Sequence, residues 1–549
     1  MAVRYQVLIV GGGPVGMALA VDLGLRGVSC AVIERRESPQ RIPKGQSLTQ
    51  RTLEHFYFWG IADELRAARA LPPGYPIGSL TAYGNLMSEF WFGPDTRERV
   101  SDAYFQKNER LPQYLTEEVL RRRAAQLPHV ECLFGRTATA IQQDADGVRV
   151  TLGSDVWPYE DQVLEGDYLV GCDGARSIVR EQLGIDRGGA DFDQRMVLAV
   201  FRSRELHSGL QRFPECTTYR VLRPELQGYW QFFGRVDVGE GWFFHAPVPR
   251  ETRPDNYDFL GLLHQAAGFE FAAEFDHVGF WDLRISVASE YRVGRVFIAG
   301  DACHSHPPYG GYGLNSGLED VVNLGWKLAA VLQGWGGEGL LESYTPERRP
   351  IFVETGEAMI AGGIERDREF LERFSPSADR APFVAAWREL GEATMGRRQS
   401  YEPQYAGSPV VMGPADGVCS IHGTRSRAAQ AGYHLMPAAL SNGSNVFESL
   451  GQWFTLLALD ADAASLSVLQ DAAAFVQAPL EVVCDSYADA RRDYASRLVL
   501  VRPDQYVVWA GDSVALEPVA LLQRVTGNTS GVRVGGSSPA SVRARSSQT

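Results

Sequence analysis

Three glycines near the start of the chain, Gly11, Gly13 and Gly16, have the G-x-G-x-x-G spacing of a turn that binds the pyrophosphate of a dinucleotide. In such a turn the first glycine allows a tight bend, and the second lets the backbone approach the phosphates. The third lets the following helix pack closely against the strand. Pro14 and Val15 fill the positions between the last two glycines, so the whole segment is a candidate nucleotide-binding turn.

The secondary structure that this turn requires is predicted on both sides of it. Residues 5–10 are apolar and β-branched, as in a buried parallel strand, and helical spacing follows Gly16. A second strand at residues 30–34 ends in Glu34, whose carboxylate can accept hydrogen bonds from a ribose diol. Residues 334–339 have the same glycine spacing but follow a predicted helix, so we expect a loop there.

Two further clusters of polar residues and glycines follow predicted strands. Asp173 and Gly174 lie in the first of them, at residues 168–177. The second cluster follows a buried strand at residues 296–299, where the carboxylate of Asp301 can accept hydrogen bonds from cofactor hydroxyls. Its remaining candidate residues are Pro308, Gly311, Gly313, Leu314 and Asn315. We expect a helix after Asn315 whose N-terminus points at the bound ligand.

Together, the three clusters resemble the fingerprints of the class A flavoprotein monooxygenases, the aromatic-ring hydroxylases that include p-hydroxybenzoate hydroxylase and phenol hydroxylase. The resemblance implies FAD as cofactor, NADH or NADPH as reductant and O2 as co-substrate. It also implies cofactor contacts for Arg35, Lys44 and Gln113. Many relatives have Gln where this chain has Tyr312, so the hydrogen bonding near the flavin differs here.

The family reaction hydroxylates a phenol or catechol through a flavin C4a-hydroperoxide. Because the chain has a single valid dinucleotide turn, hydride donor and flavin must share one site. Pro308 matches the family proline whose carbonyl lies beside flavin and substrate. Arg220, His245 and Arg284 are further catalytic candidates that could contact the substrate, a small phenolic molecule.

The resemblance implies an α/β protein with a Rossmann-like FAD-binding domain of the p-hydroxybenzoate hydroxylase type, formed by residues 1–188 and 286–400. Residues 189–285 are expected to form a β-rich substrate domain, to which residues 73–108 contribute. Aromatic residues there could line a dry pocket or pack within the sheet: Tyr219, Tyr229, Trp230, Phe232, Trp242 and Phe244.

The C-terminal part of the chain is predicted to be a separate domain. Residues 401–417 are expected to be a linker, and residues 418–526 resemble a thioredoxin-like domain, as in phenol hydroxylase and 3-(3-hydroxyphenyl)propionate hydroxylase. The C-x-x-C motif is missing, so disulfide exchange is not its role. Residues 527–549 are rich in Ser, Gly and Arg and are predicted to be disordered.

The composition excludes several classes of function. The net charge of −14 over 549 residues disfavours a broad surface for nucleic acid or anionic membranes. No apolar run is long enough to span a membrane, and no export signal is recognisable, so a cytoplasmic protein is expected. Seven scattered cysteines indicate buried thiols in a reducing compartment and no metal site. A homodimer is an open expectation.

Two alternatives to hydroxylation come from the same residues. A flavin-dependent halogenase is one, because residues 241–247 partly resemble its G-W-x-W-x-I-P motif, although the second Trp and the Ile are missing. A non-enzymatic carrier with the FAD fold, similar to the GDP-dissociation inhibitors, is the other. Such a carrier has no reason to retain Asp173, Gly174 and Asp301 with their flanking sequence.

Overall fold

A computed structural model of the protein describes residues 3–153, 162–514 and 517–528. Its strands, in chain order, are β1 (Val3–Val10), β2 (Cys30–Glu34), β3 (Ser47–Leu48), β4 (Gly78–Tyr83), β5 (Trp91–Thr96), β6 (Glu109–Arg110), β7 (Val130–Phe134), β8 (Thr137–Gln143), β9 (Val148–Gly153), β10 (Gln162–Gly171), β11 (Arg187–Arg202), β12 (Thr218–Leu222), β13 (Gln231–Arg235), β14 (Gly241–Val248), β15 (Glu274–Ala288), β16 (Arg292–Val293), β17 (Val296–Ile298), β18 (His304–Ser305), β19 (Gln404–Tyr405), β20 (Cys419–Ser420), β21 (Phe454–Leu459), β22 (Leu480–Asp485), β23 (Leu498–Val501) and β24 (Val507–Gly511). Its α-helices are α1 (Pro14–Leu25), α2 (Gln50–Phe58), α3 (Ala62–Ala67), α4 (Gln113–Ala124), α5 (Ile178–Gln182), α6 (Arg204–Gly209), α7 (Phe259–Ala267), α8 (Tyr312–Leu332), α9 (Glu338–Glu342), α10 (Tyr344–Glu354), α11 (Gly362–Arg373), α12 (Arg380–Gln399), α13 (Ala463–Phe475) and α14 (Pro518–Val525).

The first sheet has the strand order β16-β17-β10-β1-β2-β7, with β9 and β8 joined to β10 on an antiparallel branch. Strands β17, β10, β1, β2 and β7 are parallel, and helices α1 and α8 pack together against this sheet. The predicted strand, helix and strand around the glycine turn are confirmed as β1, α1 and β2. Strand β1 is buried along Val7–Val10 because both faces of the sheet are covered.

The carboxyl ends of four neighbouring strands lie at one edge of this sheet. Val10 pairs with Ile33 on one side and with Gly171 on the other, and Gly171 pairs with Ile298. The segments that follow these strands are therefore neighbours in space, although they lie far apart in the chain. This edge of a parallel sheet is where such folds bind their ligands.

The second sheet has the order β18-β15-β11-β14-β13-β12-β4-β5 and is mostly antiparallel. Strands β11 and β15 are long and bring the chain from the first sheet into the second and back. Residues 78–96 supply β4 and β5, and β4 pairs in parallel with β12. One face of the sheet packs on α7 in a core of its own, and the other face turns toward the first sheet.

The C-terminal sheet has the order β22-β21-β23-β24, with β21 and β22 parallel and the other pairs antiparallel. This agrees with the predicted order of strands, including the hairpin that turns near Pro503 and Asp504. The second predicted helix is a short 3-10 helix, Asp489–Tyr494. Helices α13 and α14 pack together, as expected for a thioredoxin-like arrangement.

Three local predictions differ from the structure. Helix α8 begins at Tyr312, before Asn315, because Gly311 in the left-handed region caps it. The segment 401–417 is a packed part of the protein, with β19 inside it and Tyr405 and Val411 fully buried. The predicted disordered tail starts with ordered residues, since Gly527 accepts a hydrogen bond from Gly339; residues 529–549 lie outside the described residues.

Buried ion pairs join the C-terminal sheet to the helices of the first sheet. Arg502 binds the carboxylates of Glu347 and Asp504, and Lys327 donates to Glu347 at 2.7 Å. Arg51 on α2 donates to the backbone oxygen of Asp504. Because removing one partner of a buried pair leaves an uncompensated charge, we expect substitutions at these residues to be strongly destabilising.

All seven cysteines are free thiols, and five of them are buried as predicted, whereas Cys132 is partly buried and Cys484 is exposed. It lies on β22, the edge strand of the C-terminal sheet, where alternate side chains face outward. Within the described ranges, no helix is both long and apolar enough to cross a lipid bilayer.

Candidate active site

The glycine turn between β1 and α1 leaves space for a ligand at only one of its key positions. A Cβ on Gly16 would overlap the carbonyl oxygen of Gly11, and a Cβ on Gly11 would overlap the carbonyl of Cys172. At Gly13, in contrast, nothing lies within 4 Å of a Cβ position. Gly11 and Gly16 therefore pack against protein atoms, whereas Gly13 is open to the cavity. Helix α1 begins at Pro14, so its N-terminus lies at this opening and suits an anionic phosphate.

Glu34 is oriented by backbone donors on both sides of its carboxylate. Its Oε2 accepts a hydrogen bond from the Gly12 amide at 2.8 Å, and its Oε1 accepts one from the Arg36 amide at 2.9 Å. The remaining lone pairs can accept from a ribose diol. Arg35 is exposed at the same end of the cavity.

Asp173 follows β10 with one carboxylate oxygen that the protein does not use. Oδ2 accepts from the Val179 amide at 3.2 Å, whereas Oδ1 is buried and has no hydrogen-bond partner among the described residues. Burial raises the pKa of this carboxyl group. An unpaired buried acceptor at the wall of a cavity fits a cofactor hydroxyl. Gly174, with a φ of +83°, turns the chain away directly after it.

Asp301 is the corresponding acid after β17. Gly300 precedes it with a φ of +61°, which brings the carboxylate into the cavity. Desolvation raises the pKa of Asp301, and the positive charges of Arg187 and Lys44 oppose that rise. Burial lowers the pKa of the Lys44 ammonium. The acid and the two cations together give an acceptor and donors for a polar cofactor chain.

The N-terminus of α8 lies beside these acids, after two glycines in the left-handed region, Gly310 and Gly311. Asn315 uses its whole side chain inside the protein: its oxygen accepts from the Thr49 amide, and its nitrogen donates to Ser47 and Gly311. A cofactor contact at Leu314 and Asn315 must therefore come from backbone amides. Gly313 has no close neighbour other than His306 and leaves that approach open.

Gln113 and Tyr312 both have contacts within the protein. The Gln113 oxygen accepts from the Gly45 amide at 3.3 Å, which fixes the loop beside Lys44. Tyr312 packs against Tyr401, with ring centroids 4.8 Å apart, so an aromatic contact stands where many relatives have Gln.

One continuous cavity of about 1540 Å³ connects the strand ends of the first sheet with the inner face of the second. This exceeds the roughly 300–1000 Å³ of an ordinary ligand pocket, so a dinucleotide and a second molecule fit together. The open position at Gly13, the unpaired acceptor of Asp173 and the cavity-lining carboxylate of Asp301 match the phosphates and hydroxyls of FAD. These residues fit that cofactor.

Residues 4–357 match the family described as FAD binding domain, and residues 429–529 match the family described as aromatic-ring hydroxylase, C-terminal. An FAD-dependent monooxygenase of Emericella nidulans is 31% identical to this chain over 96% of this chain and 90% of that protein. The chain belongs to the FAD-dependent aromatic-ring hydroxylases. This confirms the resemblance, the FAD-binding fold and FAD as the cofactor.

Two further relatives span almost the whole hydroxylase chain. The 4-methyl-5-nitrocatechol 5-monooxygenase of a Burkholderia species is 29% identical over 95% of this chain and 96% of that protein. The solved structure of aklavinone-11 hydroxylase with FAD and aklavinone has a TM-score of 0.80 and 25% identity, and it covers 95% of this chain and 99% of that one.

The aromatic residues of the second sheet divide between the two expected roles, cavity lining and packing within the sheet. Side chains alternate between the two faces of a strand. On β14, Phe243 lines the cavity, whereas its neighbours Trp242 and Phe244 are fully buried in the core under α7. Tyr219 belongs to the same core, and Tyr229 is not among the lining residues. Trp230 and Phe232 do line the cavity, as expected.

The four catalytic candidates all line the cavity but differ in what they contact. Pro308 is exposed to it at the start of a short 3-10 helix, Tyr309–Gly311. Arg220 is buried, stacks 4.3 Å from the centroid of a Trp230 ring and pairs with Asp367 at 3.1 Å. Arg284 is half exposed.

Arg284 and His245 are both engaged with other protein groups. Arg284 pairs with Asp191 at 2.8 Å on the rim. His245 accepts a hydrogen bond from the Trp281 indole on Nδ1, at 3.2 Å. Burial lowers the pKa of His245 to about 3, so its ring is neutral.

The sequence gives no signal for two other residues that line the cavity. Trp281 on β15 closes it near His245, and Arg110 at the end of β6 lies on its wall. Both occur in segments without a recognisable motif. Only the pairing of β3 with β6, and of β11 with β15, brings them to the site.

Proposed function

We propose that this protein is a monooxygenase that consumes NADH or NADPH and hydroxylates a phenolic or catecholic ring held between the two sheets. The observation that carries this proposal is the single cavity, which has FAD-binding groups at one end and an aromatic wall at the other. The names of two relatives are compatible with it. One is named for a nitrocatechol, and the other was solved with aklavinone.

Bound FAD supplies the redox chemistry, accepting hydride from the nicotinamide and activating O2 for transfer to the ring. The protein itself must bind, orient and shield the reactants. Asp173, Asp301 and the turn at Gly13 hold the cofactor from the strand ends of the first sheet. Trp230, Phe232 and Phe243 exclude water from the opposite side, which protects the reaction from loss of the activated oxygen as peroxide.

Pro308 is proposed as the group that orients the substrate while its hydroxyl is still protonated. It lies at the boundary of the two ends of the cavity, where the chain turns into Tyr309 and α8. Proline has no backbone donor, so its carbonyl can only accept a hydrogen bond. The neighbouring Tyr309 hydroxyl accepts a hydrogen bond from the Trp230 amide at 3.0 Å.

The halogenase alternative has less support from the geometry. Trp242 is the tryptophan of the segment that partly resembles the halogenase motif, and it is fully buried on the face of β14 that points away from the cavity. It therefore has no access to a bound substrate. The family assignment of the chain also favours an oxygenating enzyme over a carrier without activity.

The test uses the purified full chain loaded with FAD. NADH and NADPH oxidation is measured with and without a panel of mono- and polycyclic phenols, and products formed under ¹⁸O2 are analysed by mass spectrometry. We expect stimulated oxidation and one labelled oxygen in the product of at least one phenol. Stoichiometric peroxide with every phenol, and no labelled product, would contradict the proposal.

A further inference from the structure

Arg110 is a buried cation on the wall of the cavity. Its side chain is fixed at two points: Nη1 donates to the hydroxyl of Ser47 and Nη2 to the backbone oxygen of Arg235, both at 3.2 Å. Ser47 belongs to β3, next to the cofactor loop, and Arg235 ends β13 of the second sheet. The guanidinium therefore lies where the two ends of the cavity meet, and it is only 4% exposed.

No carboxylate neutralises this charge within the described part of the chain. The ion pairs found there within 4.0 Å include none to Arg110, and its Nε is buried without a hydrogen-bond partner. The neighbouring Glu109 is turned toward Arg69, at 2.9 Å. The nearby Cys216 thiol is neutral because burial raises its pKa to about 11. Burial accordingly lowers the pKa of Arg110 to about 10.

Other cavity arginines have partners for their charge or lie closer to solvent. Arg220 pairs with Asp367 and Arg284 with Asp191. Arg187 lies on the cofactor side, where Asp301 raises its pKa against the effect of burial.

Arg195 is only partly buried and stacks over the Phe280 ring at 4.6 Å. Arg110 thus differs from these side chains in being almost completely enclosed while facing neutral oxygens. An enclosed cation without a counter-ion is costly, so a site of this kind fits an anionic ligand.

We propose that Arg110 binds the phenolate oxygen of the aromatic substrate, so that the enzyme selects ring hydroxyls that ionise in the cavity. This deepens the proposed function and rests on it. Phe243 supports the placement, since its ring lies 5.9 Å from the guanidinium and lines the same cavity. A phenolate is also the electron-rich form that an electrophilic oxygen attacks, and a positive charge nearby favours it.

The test measures the ionisation of a bound phenol and does not require turnover. The FAD-loaded full chain is titrated with 4-nitrophenol across pH, and the absorbance of the phenolate form gives the pKa of the bound probe. We expect the wild type to lower that pKa by about 1 to 3 units. Arg110→Met is expected to abolish the shift and to weaken binding of the phenolate at least tenfold. Arg110→Lys, which keeps the charge, should retain part of the shift.

The control is Arg204→Met, which removes an exposed arginine at the start of α6 and should leave the probe pKa unchanged. FAD affinity and flavin potential are measured for each variant. A changed FAD affinity or potential with an unchanged probe pKa would assign Arg110 to the cofactor and overturn the proposal. So would a wild type that binds the probe without shifting its pKa, a result that needs no variant to fold.

Failure of hydroxylation gives a different result from failure of this proposal. If Arg110 controls the ionisation of bound phenol but no phenol is oxygenated, the function proposed above is wrong and the phenolate site remains. If labelled product forms equally well in wild type and Arg110→Met with the same probe pKa, the function stands and the phenolate site is wrong.

Discussion

The two ends of the cavity are built in different ways. At the strand ends of the first sheet, backbone forms most of the surface, and glycines such as Gly11 and Gly16 exclude any side chain. On the second sheet, alternate side chains of β13 and β14 form the wall over a regular backbone. A backbone site tolerates little change, whereas a side-chain wall can be altered one residue at a time. The difference permits one cofactor to serve enzymes with different substrates.

The largest effect on cofactor binding is expected at the backbone end. Gly16→Ala would force a methyl group onto the Gly11 carbonyl, and we expect FAD affinity to fall at least about a hundredfold, or 2.7 kcal/mol. Gly13→Ala places its methyl in open space and should weaken FAD binding without lowering the melting temperature of the FAD-free protein. Flavin fluorescence titration and thermal unfolding measure both quantities.

Gly188→Ala is the control for these two variants, because its Cβ would meet nothing within 4 Å and it lies outside the turn. It should leave FAD affinity and melting temperature unchanged. If Gly16→Ala left FAD affinity unchanged, as expected for Gly188→Ala, the backbone of the glycine turn would tolerate an added side chain and the contrast between the two ends would be wrong.

Two neighbouring residues of β14 test the side-chain end. Phe244→Ala removes a fully buried ring from the core under α7 and should lower the free energy of unfolding by about 3–5 kcal/mol. Phe243→Ala enlarges the cavity, so we expect a smaller loss of stability but a raised KM and more peroxide per NAD(P)H oxidised. Denaturant unfolding and product-to-peroxide ratios measure the two effects. Equal behaviour of the pair would show that the faces are assigned wrongly.

Asp301 contributes a side chain to the end of the cavity that is otherwise formed mainly by backbone. Asp301→Ala removes the carboxylate that we propose accepts hydrogen bonds from cofactor hydroxyls, and FAD should then bind about 10- to 100-fold more weakly. Asp301→Asn keeps one acceptor oxygen and should lose less affinity. Titration of the FAD-free protein gives both dissociation constants, and unchanged flavin binding in the alanine variant would remove Asp301 from the site.

The smallest effect is the pH dependence of stability that His245, on the wall formed by the second sheet, is expected to cause. The pKa of His245 falls from 6.5 to about 3 on burial, so below pH 6.5 the unfolded chain binds a proton that the folded chain does not. Its contribution to stability is present above pH 6.5 and is lost as the pH falls, by up to about 1.4 kcal/mol per pH unit.

We expect His245→Gln to show a flatter decline of unfolding free energy between pH 6.5 and 5 than the wild type. Exposed His129→Gln is the control and should follow the wild type. Urea unfolding at several pH values is the measurement. A parallel decline in all three proteins would mean that His245 takes up a proton in the folded state.

The same contrast explains what the sequence could predict. Gly11, Asp173 and Asp301 could be predicted because a fixed spacing follows from a fixed backbone path. The lining residues could not, because aromatic side chains occupy both faces of β14 and alternation does not say which face borders the cavity. Arg110 could not be predicted, because what distinguishes it is the lack of a carboxylate partner among the described residues, and only the folded structure shows this. The first residue of α8 could not be predicted, because glycines lie both before the helix and within its first turn.

The parallel pairing of β4 with β12 has a consequence for how the chain folds as it is made. Thr218 pairs with Ser79, so β4 and β5 leave the ribosome well over a hundred residues before their partner strand. Until then the edge of β4, with the apolar Leu80 and Ala82, has no neighbour on that side. A nascent chain of this protein therefore carries an unpaired, aggregation-prone edge, and chaperones that cover such edges should matter for its yield.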